Sequence, residues 1–265
     1  MKVLLIGGSS DLGRELGKVL PYEFTNFDIK NDNLFVPDFI QGSLTKKEDL
    51  LFLKEKHFDV IVHIAGVHPI LKDSNNEDLM QSVNVDGVKN VLESIWNPLN
   101  FIFISSSAAK NTKSPYGKTK AQAEKIVEYY ATAQKQGAFA LRTKGFTPYY
   151  SPSYKQFIDY ANWAITGSVH ILDVVKAVDL CLKNPRLTYE MFVVDGKQDF
   201  TPQDQKKWSK QNLLKKYPEA LDLVNELTIP KSAPTYSKPE NSVGYEPSFG
   251  FSKVVDEFLK KKKHS

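Results

Sequence analysis

The N-terminal segment constrains the fold more than any other part of the chain. An apolar run, Val3-Leu4-Leu5-Ile6, is followed by Gly7-Gly8-Ser9-Ser10-Asp11-Leu12-Gly13 and then by an amphipathic stretch that stops at Pro21. A short apolar run closed by two glycines reads as a buried β-strand entering a sharp turn, and residues 12–20 read as the helix that follows. The apolar run is short and charge follows at Asp11 and Arg14, so the segment is read as a first β-strand in preference to a secretion signal. A strand that feeds a helix through such a turn aims the unpaired N–H groups of the helix end at an anion. Gly7 allows the turn and Gly13 allows close packing of helix on strand. Gly7, Ser9, Ser10, Asp11, Leu12 and Gly13 are therefore candidates to hold a pyrophosphate. The middle glycine of the usual dinucleotide fingerprint is absent, with Ser10 or Asp11 in its place.

The rhythm continues. Strands are expected at 24–27, 39–40, 60–64, 101–104 and 139–141, and helices at 45–56, 76–94 and 115–136. Thr45 and Glu48 have capping-box spacing, and Ser114-Pro115 reads as an N-cap with proline at the first helical position. Strands alternating with helices imply an α/β fold, a Rossmann doubly wound parallel sheet, over residues 1–145. Beyond 145 the pattern weakens. A short strand and a helix over 169–182 and a strand at 191–194 complete the sheet (about 169–195), and the rest of 146–265, with two or three short helices, forms a small C-terminal substrate-binding lobe. Tyr149, Tyr150 and Tyr154 either line a pocket there or form its core.

Asp28 ends the second strand. A carboxylate there accepts hydrogen bonds from an adenosine ribose and repels a 2′-phosphate, so NAD is favoured over NADP. Tyr116 and Lys120 stand four apart near a helix start and share one face. A phenol of pKa near 10 is a weak base at neutral pH, but a neighbouring ammonium and a positive nicotinamide favour the phenolate. Such a tyrosine exchanges a proton with a substrate hydroxyl while hydride moves to or from the nicotinamide, and Ser107, at the end of the preceding strand, holds the same oxygen.

These motifs occur in an order that resembles the extended short-chain dehydrogenase/reductase enzymes, the NAD-dependent epimerase/dehydratase family. The matching pieces are Gly7 through Gly13, Asp28, Gln41-Gly42-Ser43-Leu44, His63-Ile64-Ala65-Gly66, Asn84-Val85-Asp86-Gly87, Ser105-Ser106-Ser107 and Ser114-Pro115-Tyr116-Gly117-Lys118-Thr119-Lys120. Val169-His170-Ile171-Leu172-Asp173 and Gly244-Tyr245-Glu246-Pro247 follow. The resemblance implies that Gly7, Gly13 and Asp28 bind NAD, that Ser43 and Leu44 lie beside adenine, and that Ala65, Gly66 and Ser105 border the cofactor. It implies Tyr116 as acid/base, Lys120 on the nicotinamide ribose and Ser107 on the substrate. A homodimer through the long helix is the family's habit.

The sequence departs from the family in ways that bear on the substrate. The loop 107–116 is short, Thr143 and Lys144 follow Arg142 where asparagine and proline are usual, and the only arginines are Arg14, Arg142 and Arg186. These features imply a small hydroxylated substrate, a sugar or sugar acid, in place of a nucleotide sugar. Three readings remain: a dehydrogenase with net NAD turnover, an epimerase that keeps its NAD, and a dinucleotide-binding regulator without chemistry. His63 is expected to pack beside the cofactor and His68 to lie over the site. Scarce arginine argues against nucleic-acid readout. No apolar run reaches the length of about 18 residues that a membrane span needs. One cysteine, Cys181, leaves no intrachain disulfide and points to the cytoplasm. No cluster has metal-ligand spacing. The net charge of +4 is mild, and Lys260-Lys261-Lys262-Lys263 next to His264 reads as a solvated end.

Overall fold

The computed structural model describes residues 1–68, 77–95, 100–185, 188–200 and 208–263. Asn76, Arg186, residues 201–207 and His264, which enter the expectations above, lie outside them. The chain divides into two compact units. One comprises Met1–Thr143, Val175–Val193 and Glu240–Tyr245; the other comprises Lys144–Val174, Val194–Pro239 and Glu246–Ser265.

The first unit is the expected Rossmann-type α/β fold. Its seven-stranded sheet has the order β3-β2-β1-β4-β5-β6-β7. The strands are β1 (Lys2–Ile6), β2 (Glu23–Asp28), β3 (Asp38–Gln41), β4 (Val60–His63), β5 (Asn100–Ser106), β6 (Ala138–Thr143) and β7 (Tyr189–Val194). The registered pairs from β3 through β6 are all parallel. β1 and β4 are buried along nearly their whole length, as strands covered on both faces must be. The chain reverses its direction of sheet growth between β1 and β4, and in open α/β sheets ligands bind beyond the carboxyl ends of the strands at that switch point. α1 (Asp11–Val19) links β1 to β2, and α4 (Pro115–Gln134) links β5 to β6. α4 closes on Lys135, a non-glycine residue at φ 53.

Three local expectations differ. Residues 47–54 form a 3-10 helix capped by no side chain, because the Thr45 hydroxyl bonds Ser43 (2.9 Å) and the Asp49 carboxylate takes the Ser43 N–H (2.9 Å). The described part of the 76–94 helix is α2 (Glu77–Gln81), a π-helical turn at Ser82–Asp86 and α3 (Gly87–Ser94). No strand forms at 169–170; those residues lead directly into α6 (Ile171–Lys183).

In the second unit, α5 (Phe157–Ala164), α7 (Lys210–Lys216), α8 (Leu221–Glu226) and α9 (Phe251–Lys263) bury an aromatic-rich cluster containing Phe157, Tyr160, Leu213, Tyr217, Val224 and Phe251. Tyr149 and Tyr154 pack against this cluster, so they belong to the lobe's core, while Tyr150 is half exposed. The buried Asp173 carboxylate accepts the N–H groups of Ser248 (2.8 Å) and Phe249 (2.9 Å), and His170 Nε2 lies 2.9 Å from Glu257 Oε1. These contacts tie the start of α6 to the closing segment. Among the described residues no helix is long and apolar enough to cross a membrane, and no group of three or more His, Cys, Asp or Glu is arranged for a metal.

Candidate active site

The glycine turn is built by contact as well as by conformation. Gly7 has φ +82, and a Cβ there would stand 2.6 Å from Ala65 N, so a side chain would collide with the loop after β4. A Cβ on Gly13 would stand 2.2 Å from the Gly8 carbonyl oxygen. Ser10, at the position of the missing middle glycine, is the N-cap of α1, its hydroxyl accepting the Gly13 N–H at 3.2 Å. Asp11 pairs with Arg14 (2.6 Å) within the first turn, and Leu12 is buried. The buried Ser9 donates its N–H to the Asp28 carboxylate (3.0 Å) and its hydroxyl to the Lys30 carbonyl (2.7 Å). The other Asp28 oxygen accepts the Ile29 N–H (2.7 Å). The carboxylate at the end of β2 is thereby fixed beside the glycine turn.

The remaining residues singled out for the cofactor fall into two groups. Ala65 N donates to the Ile6 carbonyl (2.9 Å), which brings Ala65 and Gly66 to the end of β1. Ser43 lies just beyond β3, and Leu44 turns into the core, where its carbonyl accepts the Asn90 amide (2.9 Å). The Ser105 hydroxyl points elsewhere: it donates to Glu124 (2.5 Å), which also receives two bonds from Arg142 (2.9 and 2.6 Å).

α4 presents the other half of the site. Ser114 caps it through the Gly117 N–H (3.0 Å), with Pro115 at its first position. A Cβ at Gly117 would stand 2.2 Å from the Asn111 carbonyl, so glycine lets the short loop close against the helix. Tyr116 occupies the first turn and Lys120 the next. The buried Lys120 ammonium donates to the Ile104 carbonyl (2.7 Å) and lies 4.4 Å from the Phe103 ring centre. Burial lowers its pKa to about 8, against the raising influence of Glu124.

Burial pushes the Tyr116 phenol up, and a hydrogen bond with the Ser106 side chain opposes that rise. The sequence argument expected Lys120 and a positive nicotinamide together to favour the phenolate; in the protein alone desolvation dominates. Ser106 stands at the end of β5, where its hydroxyl accepts the Ala108 N–H (3.2 Å). Its neighbour Ser107 opens the 3-10 turn Ser107–Lys110. The His68 ring stands edge-on to Tyr116 with centroids 4.7 Å apart.

Asn84 was passed over as a functional residue in the sequence. It is buried in the π-helical turn, accepts the Val67 N–H (2.7 Å), and donates to the Val67 carbonyl (3.0 Å) and the Thr119 hydroxyl (3.2 Å). It clamps the loop after β4 to α4. The available signal was a polar Asn-Val-Asp-Gly inside an otherwise helical run; π turns occur frequently at functional sites.

His63 is completely buried between Phe101 and Phe103, and neither ring nitrogen reaches a partner among the described residues. Burial, with help from the Lys120 charge, lowers its pKa to about 3. Below 6.5 the unfolded chain takes up a proton that the fold refuses. The stability is therefore complete above 6.5 and is lost as pH falls toward 3, at roughly 1.4 kcal/mol per pH unit for this residue. His63→Leu is expected to flatten that acid limb, as measured by denaturant unfolding across the range; an unchanged limb refutes the assignment.

Fold and site together define a dinucleotide-binding α/β protein with a tyrosine and a lysine one helical turn apart at the ends of its central strands. The sequence matches the model of the NAD dependent epimerase/dehydratase family over residues 3–161, and the chain belongs to that family. It is thus an NAD-dependent enzyme of the short-chain dehydrogenase/reductase superfamily. No curated protein sequence matches it significantly. Among solved structures it is similar to the L-threonine dehydrogenase of Phytophthora infestans, at 19% identity and a TM-score of 0.71, covering 100% of this chain and 99% of that one. It is similar to the UDP-glucose 4-epimerase of Thermotoga maritima, at 19% identity and a TM-score of 0.70, with coverage of 99% and 100%. A short-chain dehydrogenase/reductase superfamily protein of Agrobacterium tumefaciens with bound NAD gives 16% identity and a TM-score of 0.73 over 100% of both chains. NAD is the cofactor of the family. The glycine cradle, the N-terminus of α1 and the fixed Asp28 carboxylate fit it, since each is the kind of group that pyrophosphate and ribose require.

Proposed function

We propose that the protein is a dehydrogenase that oxidises a hydroxyl of a small sugar, a sugar acid or a comparable hydroxylated molecule. The observation that carries this reading is the placement of Tyr116 on the first turn of α4, one helical turn before the buried Lys120. Gly7, Ser9, Ser10, Asp11, Leu12 and Gly13 hold the pyrophosphate, Asp28 the adenosine ribose, Ser43 and Leu44 border adenine, and Ala65 and Gly66 pass along the cofactor. Bound NAD supplies the hydride acceptor. Tyr116 takes the proton of the substrate hydroxyl, Ser107 holds that oxygen in line, and Lys120 holds the nicotinamide ribose and tunes the phenol.

Substrate size is read from the same region. The loop 107–116 is a compact 3-10 turn followed directly by α4. Arg14 is engaged with Asp11 and Arg142 with Glu124, so neither described arginine is at hand for a diphosphate. Two similar structures are L-threonine dehydrogenases, enzymes of a small hydroxylated molecule. The test is a screen of free sugars, sugar acids and L-threonine against UDP- and dTDP-sugars, followed by NADH absorbance. Net NADH formation with a small molecule is expected. Micromolar binding of nucleotide sugars alone would overturn the size argument, and NAD that copurifies without net reduction would favour an epimerase.

The cofactor preference is tested separately by calorimetry. NAD is expected to bind more tightly than NADP. Asp28→Ala removes a charge-assisted acceptor worth about 1.5–3 kcal/mol, so NAD affinity should fall by roughly 10- to 100-fold and the preference should shrink. Tighter NADP binding by the unaltered protein would refute the role of Asp28.

A further inference from the structure

Tyr116, Lys120 and Glu124 follow one another at four-residue spacing along α4 and form one stripe on the helix. Lys120 and Glu124 are both buried, and they grip consecutive residues near the end of β5. The Lys120 ammonium donates to the Ile104 carbonyl (2.7 Å), and the Glu124 carboxylate accepts the Ser105 hydroxyl (2.5 Å). Glu124 holds β6 as well. Arg142 stands opposite Ser105 in the parallel β5–β6 pairing, and its Nε (2.9 Å) and a terminal nitrogen (2.6 Å) each donate to a Glu124 oxygen. The Thr143 hydroxyl donates to the Ser105 carbonyl (3.1 Å), so β6 holds that residue by its backbone too. One buried carboxylate thus ties α4 to two neighbouring strands, one turn beyond the lysine.

We propose that Glu124 and Ser105 are positioning residues for the cofactor: they keep α4 and β5 in the one alignment in which the Ile104 carbonyl aims the Lys120 ammonium. The proposal rests on the reading above that Lys120 holds the nicotinamide ribose. A buried ion pair is a weak source of stability, because an apolar pair of similar volume does as well or better. What Glu124 and Arg142 supply is a fixed geometry, since a guanidinium fork meets a carboxylate in one plane. The Ser105 hydroxyl carries that geometry into β5, at the residue that follows the carbonyl partner of Lys120.

A lysine ammonium has three donors on a flexible four-carbon stem, so its direction is set by the acceptors it meets. The bond to Ile104 uses one donor and leaves two for the ribose hydroxyls. If the end of β5 moves, that carbonyl moves with it and the ammonium is aimed elsewhere. Glu124 acts on the lysine in a second way. Burial disfavours the Lys120 ammonium, and the Glu124 charge opposes that effect. A merely structural tie would change thermal stability and leave NAD affinity alone; a positioning tie changes the affinity.

Calorimetry with NAD tests this without a substrate. Lys120→Ala, the reference, removes a charged donor and should weaken NAD binding by roughly 10- to 100-fold. Ser105→Ala leaves Glu124 its pairing with Arg142 and should weaken NAD binding by about three- to tenfold, the partial loss expected of a misdirected charge-assisted bond. Ser105→Thr keeps the donor and should retain the affinity of the unaltered protein. Unchanged affinity in Ser105→Ala, or an equal loss in Ser105→Ala and Ser105→Thr, overturns the proposal. Glu124→Leu combined with Arg142→Met separates positioning from stability. This double variant should regain most of the thermal stability that Arg142→Met loses, yet bind NAD about tenfold more weakly than the unaltered protein. Unaltered NAD affinity in the double variant overturns the proposal. If Lys120→Ala is weakened while Ser105→Ala is normal, the lysine reading stands and this inference falls; if Lys120→Ala itself binds NAD normally, both fall.

Discussion

Tyr116→Phe is expected to lower turnover by roughly 10²- to 10⁴-fold, the usual contribution of a general acid–base group. The substitution keeps the ring, and with it the edge-on contact to His68 and the packing at the start of α4. It removes only the hydroxyl. NAD affinity should hardly change, because the proposed partner of this hydroxyl is the substrate. Lys120→Ala should behave differently. It removes the ammonium proposed to hold the cofactor ribose, so NAD affinity and turnover should fall together. Calorimetry with NAD and steady-state rates on the same preparations separate the two cases. Near-normal turnover in Tyr116→Phe at unchanged thermal stability would remove the tyrosine mechanism and leave a dinucleotide-binding protein without it.

The second large effect is on stability. Arg142→Met is expected to cost about 3–5 kcal/mol, the range found when one member of a buried ion pair is removed. Glu124 is buried on α4, and its carboxylate is held by two bonds from Arg142 and one from the Ser105 hydroxyl. Methionine fills much of the arginine's volume but leaves the carboxylate with one bond and no counter-charge on β6. Replacing both residues with apolar ones should recover most of the loss, since the penalty comes from the orphaned charge and not from missing contacts. Thermal unfolding of the two single variants and the double variant measures the coupling. A single-variant cost below about 1 kcal/mol, the level of an exposed pair, would show that Glu124 is better solvated than its surroundings indicate.

Much of this protein was legible before any coordinates. The β1–turn–α1 unit is written in an apolar run, two glycines and an amphipathic helix, all local signals. Ser114-Pro115 marked the start of α4, and the four-residue spacing of Tyr116 and Lys120 guaranteed a shared helical face. Asp28 stood at a strand end in the sequence and stands there in the fold. What the sequence could not decide were matters of distance between segments far apart in the chain. Only the tertiary structure turned Ser105 toward Glu124. It made the anomalous Ser10 a helix cap, gave Asn84 its clamp on Val67, and set His68 against the phenol. It also set burial against ionisation of the Tyr116 phenol, because desolvation depends on everything packed around a group, whereas spacing along a helix reveals only its nearest neighbours on that helix.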